Sequence, residues 1–426
     1  MKITIGALLI LGLVVFSAPL FVLIASGAGL GLLSIEEDLA TLFFEIFRLT
    51  ESSVLMTLPL FAFSGYMLSE AKTADRLLRL SKSAVGWLPG GLVLISLFTC
   101  AFFTMLTGRS GVTIVALGGL LYPALKKSRY NDKFSLGLVT SSGSLGLLLP
   151  PAIPLILYGI IAQQMEYKIE INDLFLAGLL PVVLMIVALY SYGVYANRKQ
   201  KIALTPFVAR DFFNSVWESK WELFIPVLIL GGIYSGKLVI SDAAAITALY
   251  VFIFTVFIKK EISLSKIPDV AINSMKMVGG ILLILAVALA FSNFLISADV
   301  PNHLVEFVGS KIDTKWQFLL LLNIILLALG AILDIFAAIV IMVPLLLPIA
   351  AGFDIHPVHL GIIFVANMQI GYFTPPVGMN LFIASYRLNK SITELYQACF
   401  PYLVILFGIV LLITYIPWLS MVFLGP

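Results

Sequence analysis

Apolar segments and short polar connections alternate along the whole chain. Segments long enough to cross a bilayer, which takes ~20 residues in a helix, recur from one end to the other. A long apolar segment with few charges is typical of a membrane-spanning helix. The pattern predicts uninterrupted spans at about 4–32, 52–69, 174–196, 223–236, 240–258, 277–297 and 398–421.

Two further apolar segments, at about 134–162 and 357–386, each contain a pair of prolines in the middle. The pairs are Pro150-Pro151 and Pro375-Pro376. Proline lacks a backbone donor and disfavours helix at the preceding residue, so each pair should break its helix. Within a membrane, unpaired backbone is tolerated only where protein or a water-filled cavity satisfies it. We therefore predict two broken helices whose unwound centres face a cavity.

Two pairs of shorter apolar segments predict hairpins that enter the membrane and return to the same side. The first hairpin covers about 89–125 and turns at a polar stretch around Arg109. The second covers about 317–352, with Gly330 and Asp334 near its tip. Each arm is short for a full crossing, and basic clusters flank both ends of the first hairpin.

The landmarks of the first half recur in the second half at a constant offset. The two proline pairs, the prolines Pro123 and Pro348, and the charged residues Arg109 and Asp334 are each separated by 225 positions. Several landmarks in one register indicate an internal duplication. We therefore predict one integral membrane unit over 1–426. Its parts are a first repeat at 52–196, surface helices and scaffold spans at 197–276, and a second repeat at 277–421.

Composition and charge agree with this all-α membrane fold. The chain is 61% hydrophobic and 12% charged, with a net charge of +3, which is typical of a helical membrane protein and gives no basis for nucleic-acid binding. Most Lys and Arg residues fall in connections that we place inside, including 197–222 and 259–276, where we expect surface helices. This puts the N-terminus inside and the C-terminus outside. It gives about nine full spans plus two hairpins, with the two halves inverted relative to one another.

Arg109 is a cation at the tip of the first hairpin, deep in the predicted membrane. An isolated Arg at the bilayer centre costs ~2.5–3.5 kcal/mol, so it needs a cavity or a partner. One interpretation is a clamp on an anionic solute, since a guanidinium grips a carboxylate through two parallel hydrogen bonds. The other is a salt bridge to Asp334 or contacts with hairpin carbonyls. For Asp334, a helix N-cap and a role in cation or proton coupling are both open.

The unwound centres and the hairpin tips together offer the chemistry of an ion-coupled transporter. Free backbone carbonyls replace the water shell of Na+, and half-helix N-termini favour anions. Each tip and the neighbouring break therefore predict a Na+ cage with an anion site beside it. The candidate solute contacts are Arg109, Ser110, Gly111, Ser144, Asn293 and Asp334. No nucleotide-binding loop is present and no set of catalytic groups converges, so the sequence does not predict an enzyme.

Three stretches of the sequence carry a resemblance to a known family. The first runs from Pro89 to Leu120 and the second from Gly146 to Gly159. The third runs from Asp334 to Pro348 and continues from Gly371 to Leu381. Gly231-Gly232-Ile233-Tyr234 is a further match. In these stretches the chain resembles the large membrane subunit of TRAP transporters, the tripartite ATP-independent periplasmic carriers.

The resemblance implies an elevator-type, Na+-coupled importer in a bacterial inner membrane. A periplasmic binding protein would deliver a carboxylate-bearing organic acid, and a separate small membrane subunit of about four helices would complete the transporter in the lipid bilayer. Carried over by motif, one Na+ site would use Thr107, Gly108, Gly146, Leu149 and Ala152, and the other would use Gly330, Gly371, Thr374 and Val377. The chain departs from the family pattern at Arg109, where many relatives have a small residue, and at Val239 to Asp242.

Two other functions remain open from the sequence. A stand-alone Na+/carboxylate symporter of the same inverted-repeat design would take up solute without a binding protein. A channel would pass current without saturable competition by solute.

Overall fold

The computed structural model describes residues 12–13, 18–50, 53–200, 206–312 and 314–424. This part of the chain is helical, with short turns between the helices and no strand. Seven helical segments in it are long and apolar enough to cross a membrane, and three shorter apolar helices accompany them. The predicted all-α, polytopic membrane fold is confirmed.

Three helices precede the first hairpin region. They are α1 (Leu20–Ser34), α2 (Ala40–Thr50) and α3 (Thr57–Glu70). α1 begins after Pro19, whose backbone is extended, and has 15 residues, so this part of the span predicted at 4–32 is shorter than a full crossing. Residues 1–11 and 14–17 of that span lie outside the described residues.

The first hairpin forms where it was predicted, and an amphipathic helix precedes it. That helix, α4 (Thr73–Val85), occupies a polar stretch for which the sequence predicted no element. The hairpin consists of α5 (Gly91–Thr107), α6 (Ser110–Thr113), a π-helical turn (Ile114–Gly118) and α7 (Gly119–Lys127). Gly108 joins the two arms with a φ of 67°, a left-handed conformation that glycine adopts without strain.

The first broken helix follows the hairpin. It consists of α8 (Asp132–Ser142), a 3-10 turn (Leu145–Leu148) and α9 (Ile153–Gln164). The Asn131 side chain caps α8 by accepting a hydrogen bond from the Lys133 N–H at 2.9 Å. Pro150 and Pro151 lie in the unwound segment before α9, which confirms the predicted break. One continuous helix, α10 (Ile171–Ala196), then completes this half.

The middle part differs from the prediction at its second polar stretch. Its helices are α11 (Ala209–Glu218), α12 (Lys220–Tyr234), α13 (Ile240–Ile253, continued by a π-helical turn at Phe254–Ile258) and α14 (Ile267–Ser297). α11 has no buried residue, as expected of a surface helix. The prediction of a separate surface helix at 259–276 was wrong. The second part of this stretch is the beginning of α14, a continuous helix of 31 residues in which no proline follows Pro268.

The second half repeats the order of the first. Its helices are α15 (Val300–Lys311), α16 (Lys315–Ile332), α17 (Ile335–Gly352), α18 (Pro357–Gly371), α19 (Met379–Leu388), α20 (Ile392–Tyr415) and α21 (Trp418–Met421). α16 and α17 are the predicted second hairpin, and α18 and α19 flank the second proline pair. α15 precedes this hairpin as α4 precedes the first, and the sequence missed both.

The two halves interlock through their hairpins and broken helices. The return arm of the first hairpin packs against α19, and the return arm of the second, α17, packs against α9. Each return arm thus contacts the second half of the opposite broken helix. Around this core, α8 packs against α20, and α18 packs against α10 and α16. The remaining helices form an outer group in which α14 packs against α1, α2 and α3.

A buried ion-pair cluster fixes α4 to the outer group. Arg76, only 4% exposed, pairs with the fully buried Glu222 of α12 and with Glu261 in the connection after α13. Its Nε donates to Glu222 at 2.6 Å, and the Lys72 N–H donates to Glu261 at 3.0 Å. Burial raises the pKa of the Glu261 carboxyl, but hydrogen bonds from Arg76 and Lys72 outweigh this, and its pKa lies below the ordinary value. Loss of either partner would leave a buried, uncompensated charge, so the cluster holds α4 firmly.

Candidate solute and ion site

A cavity of about 590 Å³ lies where the first hairpin meets the second half of the chain. Its walls come from the tip and return arm of the first hairpin, the tip of the second hairpin, the segment after the second break and the end of α3. The charged and hydroxyl-bearing residues along the walls are Ser69, Glu70, Arg109, Ser110, Asp334, Tyr372 and Arg387. The chamber has the size of a small-molecule site.

Arg109 lies in the wall of this cavity at the turn of the first hairpin. α5 ends where the Gly108 N–H donates to the Thr104 carbonyl at 2.7 Å, and Arg109 follows with an extended backbone. One terminal nitrogen, Nη1, donates to the Tyr66 hydroxyl of α3 at 2.8 Å. Within the described chain no carboxylate oxygen lies within 4.0 Å of Arg109. Arg109 therefore forms no direct ion pair with these residues, and it interacts with the Asp334 carboxylate only at longer range.

Asp334 is the N-cap of α17. Its Oδ2 accepts a hydrogen bond from the Phe336 N–H at 3.0 Å, and its Oδ1 accepts one from the Tyr372 hydroxyl at 3.0 Å. The same hydroxyl accepts a hydrogen bond from the Ile335 N–H at 3.0 Å. These bonds hold the carboxylate at the second hairpin, so the alternative of an Arg109–Asp334 salt bridge is not formed. Of the two roles left open for Asp334, the geometry shows the N-cap.

Ser110 and Gly111 form the contact between the first hairpin and α19. The Ser110 hydroxyl donates to the Asn380 Oδ1 at 2.8 Å, across 270 positions of sequence, and both side chains are buried. The Asn380 Nδ2 has no acceptor among the described residues. A Cβ at Gly111 would lie 2.5 Å from the Ile383 Cδ1, so a glycine permits this close approach.

Arg387 provides a second guanidinium in the wall of the cavity. Its Nε donates to the Val115 carbonyl at 2.8 Å, in the π-helical turn of the first hairpin. A Cβ at Gly119 would lie 2.4 Å from its Nη2, so the hairpin leaves room for this side chain. No ion pair of Arg387 is found within 4.0 Å in the described part of the chain.

The first hairpin tip and the first break are in direct contact, as the first expected Na+ site requires. A Cβ at Gly108 would lie 2.8 Å from the Ile153 Cδ1, next to Ala152. A Cβ at Gly146 would lie 2.1 Å from the Ala101 carbonyl oxygen of α5. Leu149, which lies between Gly146 and Ala152 in the sequence, has an extended backbone. The Thr107 hydroxyl donates a hydrogen bond to the Arg109 carbonyl at 3.5 Å. Binding of Na+ by these five residues stays a prediction.

The second hairpin tip and the second break are also in direct contact. A Cβ at Gly371 would lie 2.4 Å from the Gly330 carbonyl carbon, so the two backbones touch. The Gly378 N–H donates to the Ala331 carbonyl at 2.9 Å. The Thr374 hydroxyl donates within its own segment, to the Ile370 carbonyl at 2.9 Å, and the Val377 side chain is exposed. The structure brings the second residue set together, and its Na+ binding also stays a prediction.

Two of the predicted solute contacts lie away from the cavity. The Ser144 hydroxyl donates to the Ser141 carbonyl at 3.2 Å, and Asn293 belongs to α14; neither lines the cavity walls.

Four residues at or beside the cavity were not predicted from the sequence: Tyr66, Tyr372, Asn380 and Arg387. For the last two a signal existed, because they follow the second break seven positions apart and so share one face of a helix. A tyrosine in an apolar segment gives no such signal.

Comparison with known proteins places the chain in a family. The family model described as "Tripartite ATP-independent periplasmic transporter, DctM component" matches residues 3–419. The chain belongs to the DctM family. Its DctM relatives include the C4-dicarboxylate TRAP transporter large permease protein of Pseudomonas aeruginosa, 33% identical, with 93% of this chain and 92% of that protein covered. Another is the isethionate TRAP transporter permease protein DctMQ of Oleidesulfovibrio alaskensis, 34% identical, of which this DctM chain covers 59% while 89% of its own length is matched.

Two solved transporters share the fold of this DctM chain. The YdaH transporter of Alcanivorax borkumensis superposes with a TM-score of 0.58 at 15% sequence identity, covering 89% of this chain and 90% of YdaH. MtrF of Neisseria gonorrhoeae, one of a class of antimetabolite efflux pumps, gives a TM-score of 0.55 at 12% identity, covering 85% and 80%. These likenesses concern architecture alone. Together with the family they establish a multi-pass membrane protein of transporter type.

Proposed function

We propose that this DctM-family chain is the large membrane subunit of a Na+-coupled importer for a carboxylate-bearing organic anion. It works in the bacterial inner membrane, with its N-terminus inside and its C-terminus outside. A small membrane subunit and a periplasmic solute-binding protein complete the transporter. The relative of Pseudomonas aeruginosa of which this chain covers 92% is named a large permease protein, which supports the assignment as a large subunit.

The observation that carries the proposal is the cavity with Arg109 in its wall. A guanidinium without a direct ion pair in the described chain, beside the half-buried Tyr66 hydroxyl, suits a carboxylate that accepts two hydrogen bonds. Solutes in the names of relatives are also organic anions: C4-dicarboxylate, isethionate and, in a 28% identical protein of Vibrio cholerae, sialic acid.

Na+ coupling is supported by the two contacts between tip and break. Each brings a glycine near a hairpin tip, Gly108 or Gly330, against the helix end that borders a break, at Ile153 or Gly371. The unwound segment beside each contact has carbonyl oxygens that no helix uses. Na+ is a hard cation, for which such oxygens are suitable ligands. In the proposed cycle, the interlocked hairpins and broken helices move as one transport unit against the outer helices, in an elevator-type motion.

The test is uptake by the complete transporter reconstituted in liposomes. We expect radiolabelled succinate or N-acetylneuraminate to accumulate when Na+ is outside, and uptake to stop when choline replaces Na+. Accumulation of the same solute driven by a proton gradient alone would contradict Na+ coupling. Uptake by this chain without a binding protein would favour a stand-alone symporter.

The role of Arg109 is tested in the same assay. We expect Arg109→Ala to abolish uptake while the assembled complex elutes as the wild type does, because the solute loses its charged partner. Arg210→Ala is the matched control, since Arg210 is an exposed arginine on the surface helix α11. Unimpaired uptake by the Arg109 variant would contradict the proposed clamp.

A further inference from the structure

A buried polar network joins three helices of the second half. Its members are Asn323 of α16, Asn367 of α18 and Thr414 of α20, and all three are fully buried. The Asn323 Oδ1 accepts one hydrogen bond from the Asn367 Nδ2 at 2.8 Å and another from the Thr414 hydroxyl at 3.2 Å. The Thr414 carbonyl in turn accepts a hydrogen bond from the His359 Nε2 of α18 at 3.2 Å. One amide oxygen therefore links all three helices.

The two amide side chains are also oriented by their own helices. The Asn323 Nδ2 donates to the Leu319 carbonyl at 2.6 Å, and the Asn367 Nδ2 donates to the Ile363 carbonyl at 2.9 Å. Each of these bonds runs back one turn, to the residue four positions earlier. The two amides therefore meet in one defined orientation.

The network lies close to the contact between the second hairpin tip and the second break. Gly330 follows Asn323 by seven residues, which returns to the same face of α16 ~10 Å further along the axis. Gly371 follows Asn367 by four residues, or ~6 Å along α18. α16 and α18 thus meet first through the two amides and then through the two glycines, where a Cβ at Gly371 would lie 2.4 Å from the Gly330 carbonyl carbon.

The other residues of α16 discriminate poorly between positions along α18. Residues 318–329 are apolar apart from Asn323, and seven of them are leucine. A slip by one residue would exchange one apolar contact for another, but it would move Gly330 by ~1.5 Å and bring a residue with a side chain towards Gly371. A buried asparagine fixes such a register in coiled coils, at a cost in stability.

The same cost is visible in this network. The Asn367 Oδ1 is buried and has no donor among the described residues. An unsatisfied buried acceptor destabilises a fold, and an apolar side chain at this position would avoid the loss. The amide is therefore better explained by the helix register that it specifies than by stability.

We propose that Asn323, Asn367 and Thr414 are positioning residues for the second Na+ site. α16 contributes Gly330 to that site, and the end of α18 and the break contribute the rest, so the register of the two helices decides whether the ligands converge. This inference rests on the proposed function, because the Na+ site belongs to it. It adds that Na+ affinity depends on three residues that do not contact the ion.

The test measures how much Na+ half-saturates uptake by the complete transporter in liposomes. Choline chloride keeps the ionic strength constant, and the solute is whichever of radiolabelled succinate and N-acetylneuraminate the wild type accumulates. Thr414→Val removes one hydroxyl and keeps the shape of the side chain. Asn367→Leu removes the bond between α16 and α18 together with the unsatisfied oxygen, and leaves Asn323 bonded to Thr414.

We expect the half-saturating Na+ concentration to rise about threefold in Thr414→Val and up to about tenfold in Asn367→Leu, which is the range that one hydrogen bond between membrane helices contributes. The maximal rate should be retained at saturating Na+, because Na+ binding draws the helices back into the competent register. Thr414→Ser keeps the hydroxyl and should behave as the wild type does.

Thr255→Val is the matched control. Thr255 is fully buried in the π-helical turn that continues α13, and its hydroxyl donates to the Val251 carbonyl at 2.8 Å within the same segment. The substitution removes a buried hydroxyl without touching a contact between helices, so the half-saturating Na+ concentration should not change.

An unchanged half-saturating Na+ concentration in Thr414→Val and Asn367→Leu would overturn the inference. A lower maximal rate at an unchanged half-saturating concentration would do the same, since it would show a purely structural role. If Asn367→Leu does not assemble, Thr414→Val and Thr414→Ser decide the question. Na+-dependent uptake by the wild type with unaffected variants leaves the proposed function standing, whereas uptake without Na+ dependence defeats both proposals.

Discussion

The two hairpin tips occupy equivalent positions 225 residues apart, yet their charged residues have different surroundings. At the first tip, Arg109 lines an open chamber and bonds to Tyr66 on the outer helix α3. At the second tip, Asp334 is engaged by the Phe336 N–H and the Tyr372 hydroxyl. The two equivalent positions therefore carry a charge that lines the cavity on one side and a charge that caps a helix on the other.

Both hairpins also approach their breaks through backbone, but at different places. At the second tip, a Cβ at Gly371 would lie 2.4 Å from Gly330. At the first, the Ile153 side chain contacts Gly108, and the backbone contact lies further from the tip, where a Cβ at Gly146 would lie 2.1 Å from the Ala101 carbonyl oxygen. The two halves thus follow the same order of elements with different residues in contact.

The largest effect is expected where the second tip is tightest. Gly371→Ala places a methyl group against the Gly330 backbone, which cannot move aside as a side chain can. Overpacking of this kind costs about 1–3 kcal/mol or more, so we expect a strong loss of monodisperse protein and of thermal stability. Fluorescence-detected gel filtration and thermal unfolding in detergent measure both.

The matched control for this substitution is Gly280→Ala. No atom lies within 4 Å of a Cβ at Gly280 in α14, so the same change should be harmless there. Normal yield and stability of the Gly371 variant would show that the two backbones do not need their contact.

Substitutions of Asp334 are expected to have a smaller effect, and they distinguish a helix N-cap from a role in ion coupling. Asp334→Ala removes the N-cap of α17 and should lower stability by about 1 kcal/mol. Asp334→Asn retains a side-chain acceptor and should restore both stability and Na+-dependent uptake. A stable Asn variant that has lost Na+ dependence would instead assign Asp334 to ion coupling.

The smallest effect concerns the contact between the first tip and α3. Tyr66→Phe removes one hydroxyl that orients Arg109 and leaves the ring in place. We expect a severalfold rise in the KM for uptake with little change in the maximal rate, because Arg109 remains but is less well positioned. Uptake kinetics at saturating Na+ check this, and an unchanged KM would contradict the positioning role.

Much of the fold followed from proline, glycine and hydropathy alone. The breaks at Pro150-Pro151 and Pro375-Pro376 and both hairpins are local consequences of residues that cannot continue a helix or cannot cross a bilayer. The helix α4 was missed because its residues are polar on average, and α15 because its 12 residues mix apolar and polar positions and are too few to cross a bilayer. The prediction of a surface helix at 259–276 failed because charged residues end a membrane span but do not end a helix.

The site was less predictable than the fold. Arg109 and Asp334 were found because a charge within an apolar segment is conspicuous. Arg387 was counted only as one of the basic residues that set orientation, since nothing local shows that it reaches the first hairpin. Ser144 and Asn293 were polar residues in the right segments whose side chains lie elsewhere. Such contacts depend on packing between the halves, which a single sequence does not contain.

The exchange of return arms between the halves also bears on how the molecule is made. Ser110 meets Asn380 only after 270 further positions have been added to the chain. During synthesis, the surface of the return arm that packs against α19 therefore stays uncovered until nearly all of the protein has entered the bilayer. The chamber is accordingly one of the last features to close, and a chain released before α19 is made would lack one of its walls.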